Sequence, residues 1–292
     1  FQNRRGFAPV IECKECGWVP HCVNCDVSLT YHKFRNELVC HYCGYKIQLP
    51  HQCPECQSPE LRTMGFGTEM VEEEIATLFP SAKVERLDFD TARTRAAYER
   101  IIADFEKGKT QILIGTQMLS KGLDFGNVSV VGILNADSLM NFPDFRAHER
   151  AFQLMVQVSG RAGRRDKRGT VVLQTDHPLI RMVERFAYKE MVRLQLGERS
   201  MFRYPPYYRL IVIVLRSRND SILQELSVLY AENLRRRLGE RVLGPVTPPI
   251  TRVQTLHIRK IVLKIEIAAA IAPVREILES VHTEMQRYLP FK

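Results

Sequence analysis

The chain has 292 residues, 45% of them hydrophobic and 26% charged, with a formal net charge of +9. That length allows two or three domains with real cores. No apolar run reaches the ~20 residues of a membrane span, and no apolar core follows Arg4 and Arg5 as in a signal peptide. The charge therefore points to an anionic partner, nucleic acid ahead of a membrane surface.

Residues 1–11 read as a first strand, entered from a turn at Asn3–Gly6. A chain that opens so abruptly on a strand is expected to be part of a longer protein. All eight cysteines then fall between Cys13 and Cys56, spaced C-x2-C-x5-C-x2-C-x14-C-x2-C-x9-C-x2-C. Disulfide scaffolds spread their cysteines along small secreted chains. Four C-x-x-C knuckles in one stretch of a larger chain instead indicate zinc in a reducing compartment.

Eight thiolates make two closed tetrahedral sites, and three pairings are possible. The nested one is favoured: residues 12–60 interrupt a sheet domain, so their ends must lie close together. An outer site of Cys13, Cys16, Cys53 and Cys56 ties those ends. Cys22, Cys25, Cys40 and Cys43 remain for an inner site. His21, His41 and His51 stand beside the knuckles as bystanders, since the thiolates suffice. Trp18 either packs this module or stacks on a base.

From Leu61 the chain returns to a strand and a glycine turn. Thr68 is placed to N-cap a helix through Phe79, with Glu69 and Glu72–Glu74 near its first turn. Val84–Leu87 reads as a strand, and Thr94–Lys107 as a helix with Tyr98, Ile101, Ile102 and Phe105 on one face. Gly108-Lys109-Thr110 resembles the end of a P-loop. It lacks the first glycine and lies between helix and strand in the wrong order.

Ile112–Ile114 is an apolar run ending at Gly115 and Thr116. A polar loop with Gln117, Lys121, Gly122 and Asp124 follows, then a second run, Val128–Leu134, and Asn135-Ala136-Asp137. Asp137 is expected to close or couple a lobe. A helix from Phe145 leads to Gln157, Gly160, Arg161, Gly163 and Arg164; Gly169–Thr175 is a strand and His177–Leu196 a helix. Polar loops at the carboxyl ends of buried strands are where open α/β sheets take ligands.

Beyond Pro205-Pro206 the pattern changes. Leu210–Leu215 reads as a strand, Ile222–Leu238 as a helix, Val253–His257 and Ile261–Ile267 as an antiparallel pair, and Pro273–Tyr288 as a helix. Arg216, Arg218, Arg252, Arg259 and Lys260 crowd this region, either as phosphate contacts or as solvated faces.

Thr116 through Asp124 resembles the fifth motif of superfamily 2 nucleic-acid helicases, and Gln157-x-x-Gly160-Arg161-x-Gly163-Arg164 resembles the sixth. With four knuckles set inside such a lobe, the resemblance narrows to the replication-restart (primosomal protein N-prime) helicase family. It extends over essentially the whole chain, through Asn3-Arg4-Arg5-Gly6, the cysteine array, Gly65-Phe66-Gly67-Thr68-Glu69, Pro143-Asp144-Phe145-Arg146-Ala147, Pro205-Pro206 and Gly244-Pro245. Leu123 and Ser159 depart from it, where histidine and alanine are frequent; neither removes a reacting group.

The resemblance implies an α/β fold: a RecA-like parallel-sheet helicase lobe 2 over 61–200, with an inserted two-zinc Cys-rich module over 12–60. A small α+β C-terminal domain over 201–292 completes it. It implies an ATP-dependent 3′-to-5′ DNA helicase whose P-loop lobe precedes Phe1 and holds ATP and Mg2+. Arg161 and Arg164 would reach the γ-phosphate as arginine fingers, with Gln157 orienting them. Gly122 and Asp124 would meet the nucleotide, and Thr116, Gln117 and Lys121 the DNA backbone.

Forked and single-stranded DNA, the primosome and replication-restart proteins, and single-strand-binding protein are the implied partners, in the bacterial cytoplasm at the nucleoid and with no membrane. The zinc module would sit near the strand-separation point or dock partners. Two rivals are a non-enzymatic zinc-ribbon binding module and an RNA helicase lobe. The arginine spacing argues against the first, and the cysteine array against the second.

Overall fold

The apolar runs of the first two thirds of the chain are brief, and so are the strands they make. The structure, a computed structural model, describes residues 10–65, 67–116, 119, 125–160, 162–163, 169–177 and 180–288. It divides into two units, residues 1–22 with 28–192, and residues 23–27 with 193–292.

In the first unit, β1 (Val10–Cys13) pairs antiparallel with β5 (Leu61–Met64), setting Cys13 opposite Leu61. The strand expected over 1–11 thus lies mostly outside the described residues. Its described end forms an antiparallel ribbon, because an excursion that leaves and returns at one place brings its two ends together head to tail. Within the excursion, β2 (Thr30–His32), β3 (Glu37–Val39) and β4 (Lys46–Gln48) form a small antiparallel sheet.

The chain then runs α1 (Thr68–Leu78), β6 (Val84–Leu87), α2 (Arg95–Glu106) and β7 (Ile112–Gly115), with β6 and β7 parallel. Thr94 caps α2, its hydroxyl accepting from Ala97 N–H at 3.1 Å. Ile101 and Ile102 on α2 pack with Leu87 and Phe125, and the predicted Tyr98 and Phe105 border that core. Thr68 is not a cap. Gly67 holds that position, and the Thr68 hydroxyl turns to Asp88.

Next come β8 (Val130–Ile133), α3 (Asp137–Met140), α4 (Ala147–Ser159) and β9 (Thr170–Leu173), with β8 and β9 parallel. Phe152 and Met155 of α4 share a core with Met140, Val183 and Met191. The helix expected over 177–196 is instead α5 (Ile180–Glu184) and α6 (Tyr188–Met201). Phe186 between them takes a left-handed φ of 49°, which a continuing helix cannot contain.

The second unit carries β10 (Tyr208–Ser217), α7 (Asp220–Leu238), β11 (Val242–Val246), β12 (Arg252–Val253), β13 (Leu256–Glu266) and α8 (Ile271–Gln286). Its antiparallel sheet has the order β10-β13-β11, with β12 also on β13. Tyr230, Leu234, Ile261, Leu263, Ile265 and Val281 are central to its core.

The strand pair expected from Val253 and Ile261 is instead the single long β13 with the short β12 before it. Alternate burial of Arg259, Ile261, Leu263 and Ile265 runs unbroken along one face, so no turn interrupts it. The turn lies earlier, at Gln254–Thr255.

Residues 23–27 group with the C-terminal unit, whose contacts begin inside α6 at Arg193.

Candidate functional site

Three of the four knuckles share one construction. The first cysteine donates its N–H to a carbonyl beyond the second and accepts from the residue that closes the turn. Cys13 N–H reaches Trp18 O at 2.8 Å and Gly17 N–H reaches Cys13 O at 3.0 Å. Cys40 with Gly44, and Cys53 with Gln57, repeat the pattern. Gly17, Gly44 and Gln57 all have positive φ, the conformation that turns both thiols to one side.

The β1–β5 ladder then sets the outer two knuckles face to face. Cys13 and Cys56 Sγ lie 3.6 Å apart, and Cys16 and Cys53 Sγ 3.5 Å. Cys22 and Cys43 Sγ lie 3.4 Å apart. The thiols form two groups of four, Cys13–Cys16–Cys53–Cys56 and Cys22–Cys25–Cys40–Cys43, each within 4.8 Å. Of the three pairings, these are the nested one.

A tetrahedron of sulfurs around zinc has edges of ~3.8 Å, given Zn–S distances of about 2.3 Å, so both donor sets fit a tetrahedral metal. No histidine joins either group; the His41 ring faces His32, with Nε2 atoms 3.3 Å apart. Trp18 is half-buried, and its carbonyl closes the first knuckle.

The electrostatics of the outer group favour a cation. The Cys16 N–H is the leading influence holding the Cys13 thiol down to about 7, against some burial. At Cys16 the Trp18 N–H pulls down, but burial and the neighbouring thiols outweigh it and push the thiol up to about 12. One thiolate forms readily and the next resists, because the charges would be packed together. A divalent ion removes that conflict.

Among the motor-motif positions, Thr116 lies just past β7, its carbonyl accepting from Leu119 N–H at 3.0 Å. Gln157 is exposed on α4. Gln117, Lys121, Gly122, Asp124, Arg161 and Arg164 lie outside the described residues. The Ala162–Gly163 turn between the two arginines is firmly held. Gly163, at φ 81°, donates its N–H to Val128 O at 3.0 Å. A Cβ on Gly169 would come within 2.3 Å of Gly163 N, so only glycine allows this approach. The sixth-motif turn therefore rests on the chain leaving the fifth-motif loop. Ser159 Oγ is buried without a hydrogen-bond partner among the described residues.

Asp137 sits at the carboxyl end of β8, where it accepts from the Thr175 hydroxyl and from Asp176 N–H at 3.1 Å. Those bonds, the Thr175 hydroxyl first, hold its carboxyl below the usual range. They engage it internally, joining the ends of β8 and β9. Arg259 is likewise engaged: it is buried, with its guanidinium 2.7 Å from Asp220 and 3.1 Å from Gln224. It is not part of a phosphate-contacting surface.

Sequence reasoning missed one network. Asp88, 2% exposed, accepts from the Thr68 hydroxyl at 2.5 Å and from Asp90 and Thr91 N–H at 2.8 and 3.1 Å. Arg86 lies 3.1 Å from it and within 3.7 Å of Glu69 and Glu72. The available signal was an arginine and an aspartate flanking Leu87 at the end of a buried strand.

Known proteins add three matches. Residues 22–47 match the PriA DNA helicase Cys-rich region, residues 62–166 the helicase conserved C-terminal domain, and residues 200–289 the primosomal protein N C-terminal domain. The replication restart protein PriA of Bacillus subtilis is 39% identical over 98% of the chain, and that of Haemophilus influenzae 42% over 86%. The chain belongs to the PriA family. It spans about a third of the length of those relatives, 36% and 35%. The match to the PriA Cys-rich region takes in the inner thiol group, Cys22 to Cys43, and both motor motifs fall within the helicase match.

Proposed function

We propose that this chain forms the second half of an ATP-driven DNA motor acting in replication restart. The observation that carries this is the seating of the sixth-motif turn, with Gly163 hydrogen-bonded to Val128 and Gly169 pressed against it. A fixed turn at this point of the motif suits a charge-stabilising element, which must be organised before the reaction begins.

In this proposal Arg161 and Arg164 reach the γ-phosphate and Gln157 orients them. Gly122 and Asp124 meet the nucleotide, while Thr116, Gln117 and Lys121 hold the DNA backbone. ATP and Mg2+ are bound chiefly by another lobe of the longer protein. Each thiol group holds one structural Zn2+, which fixes the fold of the Cys-rich module. The partners are forked and single-stranded DNA, with restart proteins and single-strand-binding protein, in the bacterial cytoplasm at the nucleoid.

The test is Arg164→Ala in the longer protein. DNA-stimulated ATP hydrolysis should fall by about 10³-fold or more, the scale seen when an arginine finger is removed, with DNA affinity little changed. Turnover near wild type would rule out the finger assignment.

A further inference from the structure

The loop between Cys22 and Ser28 is bound to a distant part of its own unit. Asp26 N–H donates to Arg252 O at 2.9 Å, and Thr255 N–H to Asn24 O at 2.7 Å. The Thr251 hydroxyl donates to the Asp26 carboxylate at 2.6 Å. Gln254 N–H donates to Cys25 Sγ at 3.3 Å. Two of these bonds come from a turn with an unusual backbone. Gln254 and Thr255 have φ of 51° and 66°, a pair of left-handed residues joining β12 to β13. Such two-residue turns are the province of Asn and Gly, and a β-branched threonine resists them. Conformations of this kind persist where their surroundings over-determine them. The surroundings here are the knuckle.

Backbone N–H donors at a metal-binding thiolate are common within its own knuckle, as with Tyr45 N–H and Cys43 Sγ at 3.4 Å. Gln254 is different: it follows Cys25 by 229 residues. Four thiolates on one divalent ion leave an excess of negative charge, and an N–H aimed at sulfur offsets it. Outer partners of this kind orient the ligand and raise metal affinity.

We infer that the Gln254–Thr255 turn is an outer part of the inner metal site, with its backbone docked on the metal-loaded Cys25 knuckle and stabilising the thiolate there. Gln254 is thus a positioning residue that acts through Cys25. The inference rests on the proposal that the four thiols bind zinc. Metal loading and the seating of this turn reinforce each other: zinc fixes the knuckle that the turn grips, and the turn slows the loss of zinc.

The experiment uses the zinc-loaded 292-residue chain and a colorimetric chelator. Metal content is measured first, and a chain that holds no second zinc removes the foundation and the inference together. With two zincs present, Gln254→Pro deletes the N–H and cannot adopt the left-handed φ. It should speed the release of one zinc by about 10-fold, the lower scale for loss of an outer partner, and leave the other unchanged. Gln254→Gly keeps the N–H and accepts the turn, so its release should match wild type. In the cobalt-substituted protein the thiolate charge-transfer band should move in Gln254→Pro and stay in place in Gln254→Gly.

Identical release and spectra in the two variants would overturn the inference. Should Gln254→Pro fail to fold, wild type decides the matter by hydrogen exchange. The Gln254 and Thr255 amides should lose protection when zinc is stripped, and retained protection would refute the coupling.

Discussion

Asp88 shows how one buried carboxylate is kept ionised. Burial alone pushes its carboxyl up, but the Thr68 hydroxyl, the Arg86 charge and two backbone N–H groups outweigh that and hold it below the ordinary value. A depressed carboxyl binds its proton more readily in the unfolded chain. The stability it supplies is therefore present above the usual aspartate range and is lost as pH falls through the folded value. Glu72 opposes it, since burial raises its carboxyl despite Arg86. Asp88→Asn isolates the Asp88 contribution. It leaves Arg86 without its nearest anion and should cost about 3 kcal/mol at neutral pH, as for a broken buried pair. Denaturant titrations of both forms should show that gap closing as the pH is taken below 4. A gap independent of pH would mean that Asp88 packs but does not titrate.

At the scale of elements, legibility followed the strength of the repeating signal. The cysteine spacing and the requirement that an inserted module return to its start were enough to indicate which thiols meet. The face of α2 was readable because Tyr98, Ile101, Ile102 and Phe105 recur at helical spacing, and its cap because Thr94 precedes it. Thr94→Ala should remove about 1 kcal/mol, seen as a lower thermal midpoint with the same helical signal; an unchanged midpoint would show that the Thr94 cap adds nothing. The break at Phe186 and the turn at Gln254–Thr255 were not readable. Neither carries glycine or proline, and the Gln254–Thr255 turn is held by tertiary contacts at Asn24 and Cys25. Thr68 misled for a related reason, since a buried partner, Asp88, claimed the hydroxyl that a local rule assigned to a cap. Of the site itself the grouping of the eight thiols was legible, while the anchoring of Gly163 was not, because it depends on a carbonyl 35 residues earlier.

At the scale of the molecule, the buried apolar side chains are unevenly shared. Between residues 10 and 60, the large aliphatic side chains buried among the described residues are Ile11, Leu29 and Leu38, with Pro20, Thr30 and cysteines beside them. Three such side chains are a small core for a stretch of this length. The α7–β13–α8 core needs no such help, with eleven buried residues of its own. If bound metal is what holds this module, as in small zinc domains whose folding depends on the ion, chelation should act locally. Hydrogen exchange after zinc is stripped should show amides of β2, β3 and β4 losing protection while Ile261, Leu263 and Ile265 keep theirs. Protection of the small sheet that survived complete metal removal would mean that its fold has another source of stability, and that the thiol groups are not what holds it.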